Sequence, residues 1–409
     1  MINLSLNFHE YELGDLCNIS SSKRIFAREY VDEGIPFYRG KEIIELFNNR
    51  DVSNELFITR DKYESIKGKY GVPEEGDILL SSVGTLGVPY LVKNEKFYFK
   101  DGNLTWFKDF DSKLNNKFLY WWFQSIEAKY QINNKCIGST QKALPIKTLE
   151  KFEISVPSIK TQIQIVDILE SISNKIKTNI SINKNLHQQR KLLFKHWFID
   201  FDLFSSHEMK DTTFGLIPKS WEIYDFKEIL TKRTEKSNDD SIPMFSVTNT
   251  GIHPREDKFN KKLAASTSKF KLIYKNDLVF GMSREILNWG LMEEQIGGVS
   301  SAYHIFKINE KKVNPFYVKS FIENYMPYFK DIIKPASREG QGIDQNILMI
   351  KQIYVPSENI FKEFYQIDMN YNNLININNT EIERLTQLRN LLLPKLMSGE
   401  IDVSKINCE

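Results

Sequence analysis

The chain says nearly the same thing twice. Val156-Pro157-Ser158 closes one block, STQKALPIKTLEKFEISVPS, and Val355-Pro356-Ser357 closes another, REGQGIDQNILMIKQIYVPS, 199 residues later. Gln189-Arg190-Lys191-Leu192-Leu193-Phe194 is answered at the same offset by Leu388-Arg389-Asn390-Leu391-Leu392-Leu393. Earlier segments pair at slightly larger offsets. Gly76-Asp77-Ile78-Leu79-Leu80 matches Asn276-Asp277-Leu278-Val279-Phe280, and Ile35-Pro36-Phe37-Tyr38 matches Ile242-Pro243-Met244-Phe245. A half-length duplication predicts two similar modules in one chain, a covalent pseudo-dimer suited to a two-fold or bipartite partner such as duplex DNA.

With 409 residues, either half is long enough to bury its own core. Hydrophobic content of 41% and charged content of 26% are those of a soluble globular protein. No apolar run approaches a membrane span, and the N-terminus lacks the basic-then-apolar order of a signal peptide. Cys17, Cys136 and Cys408 are too scattered for a disulfide framework or a zinc site, which predicts a reducing cytoplasm. A net charge of +2 neither demands nor excludes nucleic acid, because a local basic face is what matters.

Residues 1–155 and 205–355 read as mixed α/β, each with short β-rich runs and then an aromatic helix, Phe118–Phe123 in one and Phe316–Phe321 in the other. The stretches between and after them, 156–204 and 356–409, read as helical. Apolar residues recur every seven positions at Ile165, Ile172, Leu186 and Leu193, with Asn179 in the missing slot. The second copy repeats this at Phe364, Tyr371, Leu385 and Leu392, with Asn378 in the corresponding slot. Companions include Ile168, Leu169, Ile176, Ile367, Leu374 and Leu388. Pro157 and Pro356 stand before the helices, and Pro394 and Gly399 punctuate the end of the second.

Two packings are open to such helices: each on its own globular half, or each on the other. A heptad seam is narrower than a core-facing stripe, which favours mutual packing. A buried Asn at mid-seam would cost stability and fix register. An antiparallel pair would place the halves at opposite ends of a rod of roughly 50 Å, from ~1.5 Å rise per residue.

Catalytic signatures are weak. Asn314-Pro315-Phe316-Tyr317 resembles an amino-methyltransferase motif but lacks its second proline, and its repeat partner Asn115-Asn116-Lys117-Phe118 keeps only a helix start. Neither a dinucleotide-binding glycine fingerprint nor a P-loop occurs. Glu256-Asp257-Lys258 and Glu310-Lys311-Lys312 fit the end of a nuclease motif, but neither recurs in the other copy. His187 and His196 lie nine apart and share no face as helical metal ligands would, so no metal site is expected.

Residues suited to reading DNA are more numerous. Arg and Lys fit phosphates and guanine edges; Asn and Gln fit adenine edges. The first half offers Lys23, Arg24, Arg39, Lys41, Arg60, Lys62, Ser81, Ser82, Gln141 and Lys142. The second offers Lys232, Arg233, Thr248, Asn249, Ser283, Arg284, Arg338 and Gln341. Individually each also fits a solvated loop residue; as a set they recur at similar strand-to-loop positions in both halves.

Three segments carry a family resemblance. They are Arg190-Lys191-Leu192-Leu193-Phe194-Lys195-His196-Trp197-Phe198-Ile199-Asp200-Phe201-Asp202, Gly215-Leu216-Ile217-Pro218-Lys219-Ser220-Trp221-Glu222, and Leu388-Arg389-Asn390-Leu391-Leu392-Leu393-Pro394-Lys395-Leu396-Met397-Ser398-Gly399-Glu400-Ile401. Together they resemble the DNA specificity subunits of Type I restriction–modification systems, over the whole chain. Gly76-Asp77-Ile78-Leu79 and the Gly138–Gln141 turn fit more loosely.

The resemblance implies an α+β fold: two tandem α/β target recognition domains (1–155 and 205–355), each followed by a long helix (in 156–204 and 356–409), the helices forming an antiparallel coiled coil. It implies a non-catalytic subunit in which each domain reads half of a bipartite duplex site. The rod would hold two footprints about one helical turn apart, leaving an unread gap of roughly six to seven base pairs. Implied partners are two adenine-methylating modification subunits, which hold S-adenosylmethionine, and restriction subunits that use ATP and Mg2+. Trp197, Phe198, Phe201 and Leu396 are expected to form an exposed apolar docking surface for the modification subunits. The rival readings are a fused methyltransferase, a coiled-coil scaffold without DNA function, and a specificity subunit of a related stand-alone methyltransferase or nuclease system.

Overall fold

Both copies of the repeat are built around the same four-stranded antiparallel sheet. This is seen in a computed structural model, which describes residues 8–403 apart from 49, 51, 53–55, 139–140, 205, 240, 256–269, 284 and 334–341. In the first copy the strands are β1 (Asn18–Ser20), β2 (Ile78–Ser81), β3 (Pro89–Leu91) and β4 (Leu104–Lys108), in spatial order β1-β4-β2-β3. Helix α1 (Asn116–Trp122) follows, and then the 40-residue helix α2 (Ile159–Phe198). In the second copy, β5 (Leu230–Arg233), β6 (Asp277–Phe280), β7 (Trp289–Leu291) and β8 (His304–Ile308) order as β5-β8-β6-β7. They are followed by α3 (Pro315–Asn324) and the 40-residue α4 (Glu358–Met397).

Finer features repeat as well. The Ile-Pro segments pair in parallel with a later strand: Phe37 with Tyr98, Met244 with Gly298. In each copy the last strand pairs antiparallel with one near the start, Glu153–Val156 with His9–Glu12 and Gln352–Val355 with Glu222–Asp225. The turn before β2 needs a left-handed residue, and Gly76 supplies it at φ 96°. A Cβ there would lie 2.7 Å from the Asn116 side chain. The turn before β6 uses Asn276 at φ 67° instead; Asn tolerates this region better than most residues. The copies diverge where the first inserts helices Gly40–Phe47 and Arg60–Tyr70 and the second a hairpin, Phe245–Thr248 with Gly251–Pro254.

Packing divides the chain into two units, Met1–Asn183 with Asn376–Glu409, and Lys184–Ile375. Both divisions fall inside the long helices rather than at residues 155 and 204 or 355. In the first unit, the start of α2 (Ile165, Val166, Leu169) and the end of α4 (Leu393, Leu396, Met397) join one core with Leu13, Phe107, Phe118 and Trp122. In the second, the end of α2 (Phe194, Phe198) and the start of α4 (Phe361, Phe364) join a core with Trp221, Phe306, Tyr317 and Tyr354. Each fully buried aromatic of this kind contributes about 1.5–3 kcal/mol.

Within each unit the helix segments run antiparallel. In the first, the Asn179 amide donates to Glu381 at 2.6 Å and the Asn183 amide to Asn379 at 2.8 Å, while the Asn378 amide donates to Asn183 at 2.9 Å. In the second, Arg190 pairs with Asp368 and Phe194 meets Phe364 edge-on at 5.9 Å. The heptad asparagines Asn179 and Asn378 thus bond different residues rather than each other. Ile165 and Phe364 are fully buried, while Ile172, Leu186, Leu193, Tyr371, Leu385 and Leu392 are half-buried.

Two expectations need correction. The companion positions Ile367, Leu374 and Leu388 face outward; the seam is completed one residue later, at Asp368, Ile375 and Arg389. Pro394 lies inside α4, one turn before its end, where a helix tolerates the missing N–H only at some cost. Helix starts follow the Val-Pro-Ser repeat: the Ser158 hydroxyl accepts the Thr161 N–H at 3.3 Å, an N-cap.

Candidate nucleic-acid interface

In the first unit one end of the sheet gathers several loops. The strand order puts the segment after β1, the β2–β3 turn and the residues before β4 at the same edge. Ser22 donates its hydroxyl to the Phe99 carbonyl at 2.8 Å, the Gly102 N–H reaches Ser21 at 3.4 Å, and the Gly84 N–H reaches the Lys142 carbonyl at 3.2 Å. A cavity of about 200 Å³ lies among Ser21, Ser82, Gly102 and Ala143. Lys23, Arg24, Gln141 and Lys142, each within three residues of Ser21 or Ala143 in the chain, are exposed. Arg24 pairs with Asp101 at 2.7 Å, and the Lys23 ammonium sits 5.2 Å over the Tyr70 ring. Lys62 pairs with Glu29 at 2.6 Å, bringing helix Arg60–Tyr70 beside the same loop; Arg60 is exposed at its start. The Lys62 hydrogen bond and the Phe26 N–H hold the Glu29 carboxyl below its ordinary value.

Other candidates do structural work. Arg39 clamps the fully buried Glu42 at 2.6 Å, and Glu42 also accepts the Arg39 N–H, closing the start of helix Gly40–Phe47. Lys41 lies 3.9 Å from Glu45 on that helix. Ser81 and Ser82 are buried, contrary to expectation: Ser81 donates to the Thr85 carbonyl and accepts the Val88 N–H, which shapes the β2–β3 turn, and Ser82 bonds Thr105. A hydroxyl can sit inside only when so satisfied.

In the second unit Lys232 is exposed on β5, but Arg233 turns inward, 2.8 Å from the buried Asp277 and 4.5 Å over the Tyr274 ring. Ser283, the counterpart of the serine pair, is fully buried, accepting the Asn288 N–H at 2.9 Å. Thr248 and the exposed Asn249 form the tip of the hairpin, where Thr248 bonds Thr250 at 2.9 Å. Arg284, Arg338 and Gln341 lie outside the described residues, as do Ser139, Thr140 and Glu256-Asp257-Lys258. Sequence reading missed Lys236 and Lys271. Burial, and then the charges of Lys232 and Lys236, hold the Lys271 ammonium below its ordinary value. Three cations on three strands, with Lys236 paired directly to Lys271 across two of them, are a second basic cluster.

The expected docking residues are not exposed. Phe198 is fully buried against Trp221, Tyr317 and Phe364 at 4.8–5.7 Å, and Phe201 is buried against Trp221 at 5.3 Å. Trp197 is half-buried on Phe364, and Leu396 is buried in the first unit's core. Burying them removes apolar area from water within the chain itself. No cluster of three or more potential metal ligands occurs among the described residues, and none of the described helices is long and apolar enough to cross a membrane.

Comparison with known proteins agrees with this layout. Residues 6–188 match the model of the Type I restriction modification DNA specificity domain. The chain is 31% identical over 194 residues to S.HindORF215P of Haemophilus influenzae, a protein named as a type I restriction enzyme specificity subunit; the match covers 46% of this chain and 47% of that protein. It is 25% identical over 360 residues to the Type I restriction enzyme MjaIX specificity subunit of Methanocaldococcus jannaschii, covering 81% of this chain and 79% of that one. The crystal structure of the Type I restriction-modification S subunit from M. genitalium superposes with a TM-score of 0.60 at 14% identity, over 97% of both chains, which establishes a shared fold. The repeat, the module topology and the antiparallel helices accord with these similarities: residues 6–188 carry a match to the Type I restriction modification DNA specificity domain, and the chain is similar over most of its length to a specificity subunit of a Type I restriction enzyme.

Proposed function

We propose that this chain is the non-catalytic subunit that reads duplex DNA for a Type I restriction–modification enzyme, each module recognising one half of a bipartite target. The observation that carries the reading is the duplication itself: one sheet order occurs twice, each time with basic residues beside it, the exposed Lys23 and Lys142 with the ion-paired Arg24 and Lys62 in one unit and the crowded Lys232, Lys236 and Lys271 in the other. Clustered lysines repel one another, so a polyanion that neutralises them binds favourably and releases counterions. The module differences fall in Gly40–Phe47 and Arg60–Tyr70 against the hairpin at 245–254, as two domains reading different bases require. The helices α2 and α4 would set the half-site spacing.

Modification subunits, holding S-adenosylmethionine, would supply adenine methylation, and restriction subunits would use ATP and Mg2+. With Trp197, Phe198, Phe201 and Leu396 committed to the cores, the docking surface falls to apolar residues left outside. Leu192 and Leu391 occupy equivalent repeat positions, 63% and 65% exposed. Gln188 and Gln387 precede each by one turn. A patch presented twice suits two copies of one partner.

The test is selection of bound duplexes from a random pool by the full chain with its modification subunit, followed by methylation mapping. A two-part consensus with an unread gap is expected. A contiguous or absent consensus would sink the reading, and S-adenosylmethionine binding by the chain alone would favour the fused-enzyme rival.

A further inference from the structure

Each unit has a cleft beside the same arginine of the repeat, and the two clefts carry opposite charge. In the second unit a cleft of about 740 Å³ is lined by three cations, Arg190, Lys191 and Lys319, and by four carboxylates, Glu293, Glu294, Glu323 and Asp368, which outnumber them. Asp368 takes Arg190 through two bonds, at 2.6 and 2.8 Å. At offsets of 199 to 200 residues, the first copy places Lys93, Asn94, Gln124 and Leu169 where those four carboxylates stand. The arginine itself is kept, as Arg389. It lines a cleft of about 350 Å³ whose other polar residues are Lys129, Gln124, Asn133 and Asn390, the rest of the lining being apolar or glycine. No carboxylate lines that cleft among the described residues.

We propose that the cleft around Arg389 in the first unit binds a phosphate of the DNA backbone, whereas its counterpart around Arg190 is neutralised from within the chain. This rests on the reading of the chain as a DNA-binding subunit. A guanidinium and an ammonium, with three side-chain amides whose NH2 groups can donate, suit a phosphodiester and set no carboxylate against it, and such bonds position a protein without reading sequence. The surroundings reinforce it. Burial holds the Arg389 guanidinium below its ordinary value, against the pull of Tyr120. Burial, with the charges of Lys93 and Arg389, likewise holds Lys177 down, against the pull of Glu170. Glu170 is itself taken by Lys117 at 2.9 Å. Inside the chain, Arg389 reaches only the Asn390 side chain, at 3.4 Å, among its described hydrogen bonds.

The experiment is a salt series of duplex binding by the full-length chain, using random-sequence duplex. Arg389→Gln and Lys129→Gln are expected to weaken binding alike on every sequence and to make the log–log salt dependence shallower by about one for each phosphate no longer neutralised. Gln124→Glu, which installs the second unit's own residue and so is compatible with the fold, should weaken binding with unchanged melting. Arg190→Gln should leave the salt slope as it is. Wild-type slopes in all three first-unit variants, with duplex binding intact, would overturn the proposal and leave the DNA-binding reading standing. A wild-type chain that binds no duplex would overturn both. Saturation of the cleft by inorganic phosphate without competition from duplex would show the source to be free phosphate, against the proposal. Loss of a co-purifying acidic protein in place of duplex binding would also count against it.

Discussion

Arg190 and Asp368, one from each long helix, meet in a two-pronged ion pair, Nε to Oδ1 at 2.6 Å and Nη2 to Oδ2 at 2.8 Å. The aspartate side chain is 10% exposed and the arginine 22%. Burial opposes the Arg190 charge, and the Asp368 hydrogen bonds overcome it, so its guanidinium sits above its ordinary value. Asp368→Ala is expected to destabilise the second unit by about 1–3 kcal/mol, because it strands a charge inside the seam. An Arg190→Met, Asp368→Leu double variant should recover most of that loss. Thermal melting of the singles and the double closes the cycle; additive losses would mean that the pair is not coupled.

Asn179 and Glu381 give a second test of the seam. Asn179 is 1% exposed and donates one amide bond to a half-exposed carboxylate, which also has Lys175 at 3.7 Å. Asn179→Leu should hold or raise the melting temperature, since an apolar residue at a seam position removes a desolvation cost. The gain should come with loosened register, detectable as disulfide cross-linking between engineered cysteines one heptad out of place. A clear drop in melting temperature would show that the amide bond outweighs the packing gain.

Asp77 and Asp277 make a pH prediction. Asp77 accepts the Trp106 indole N–H at 2.7 Å and the Glu74 N–H at 2.9 Å on one oxygen. Burial raises its carboxyl above the usual aspartate value, and does the same for Asp277. A raised folded value means the folded state binds the proton more readily, so this contribution is present at low pH and is lost as pH rises through the folded value. Asp77→Asn keeps an oxygen for both donors. Its stability relative to wild type should therefore fall on acidification, as the wild type alone gains. At neutral pH Asp277→Asn should cost more than Asp77→Asn, because it removes the nearer of the two carboxylates beside Arg233, leaving only Glu235 at 3.8 Å. Urea melts from neutral to acid pH read both; parallel curves for Asp77→Asn and wild type would contradict the sign.

The exposed leucines test partner docking. Leu192→Glu and Leu391→Glu should leave melting within about 0.5 kcal/mol of wild type, as surface changes do. Each should reduce the bound modification subunits from two to one, read by native mass spectrometry. Unchanged stoichiometry in both would move docking to another surface.

Base reading should divide between the modules. Substituting Lys23 and Arg60 should alter one half-site in methylation maps, and substituting Lys232 and Asn249 the other. A single substitution that shifted preference in both halves would refute that division.

The amino-acid sequence by itself determined the duplication, the two modules and the long helices, because a repeat offset and a seven-residue period are properties of order along the chain. It also carried the family resemblance, through the blocks at 190–202, 215–222 and 388–401. Loop candidates were only partly legible: Lys23 and Lys142 are exposed, but Ser81, Ser82 and Ser283 are buried, and a hydroxyl reads the same in a turn as at a surface. The expected docking surface failed for a related reason. An aromatic run such as Trp197-Phe198 has the composition of an interface and of a core alike, and only the arrival of Trp221, Tyr317 and Phe364 decides which it is. The charge contrast around Arg190 and Arg389 is present in the two copies of the repeat. It takes effect only once the fold gathers Glu293, Glu323 and Asp368 from three separate segments around one arginine, since proximity between residues far apart in sequence is fixed by packing alone.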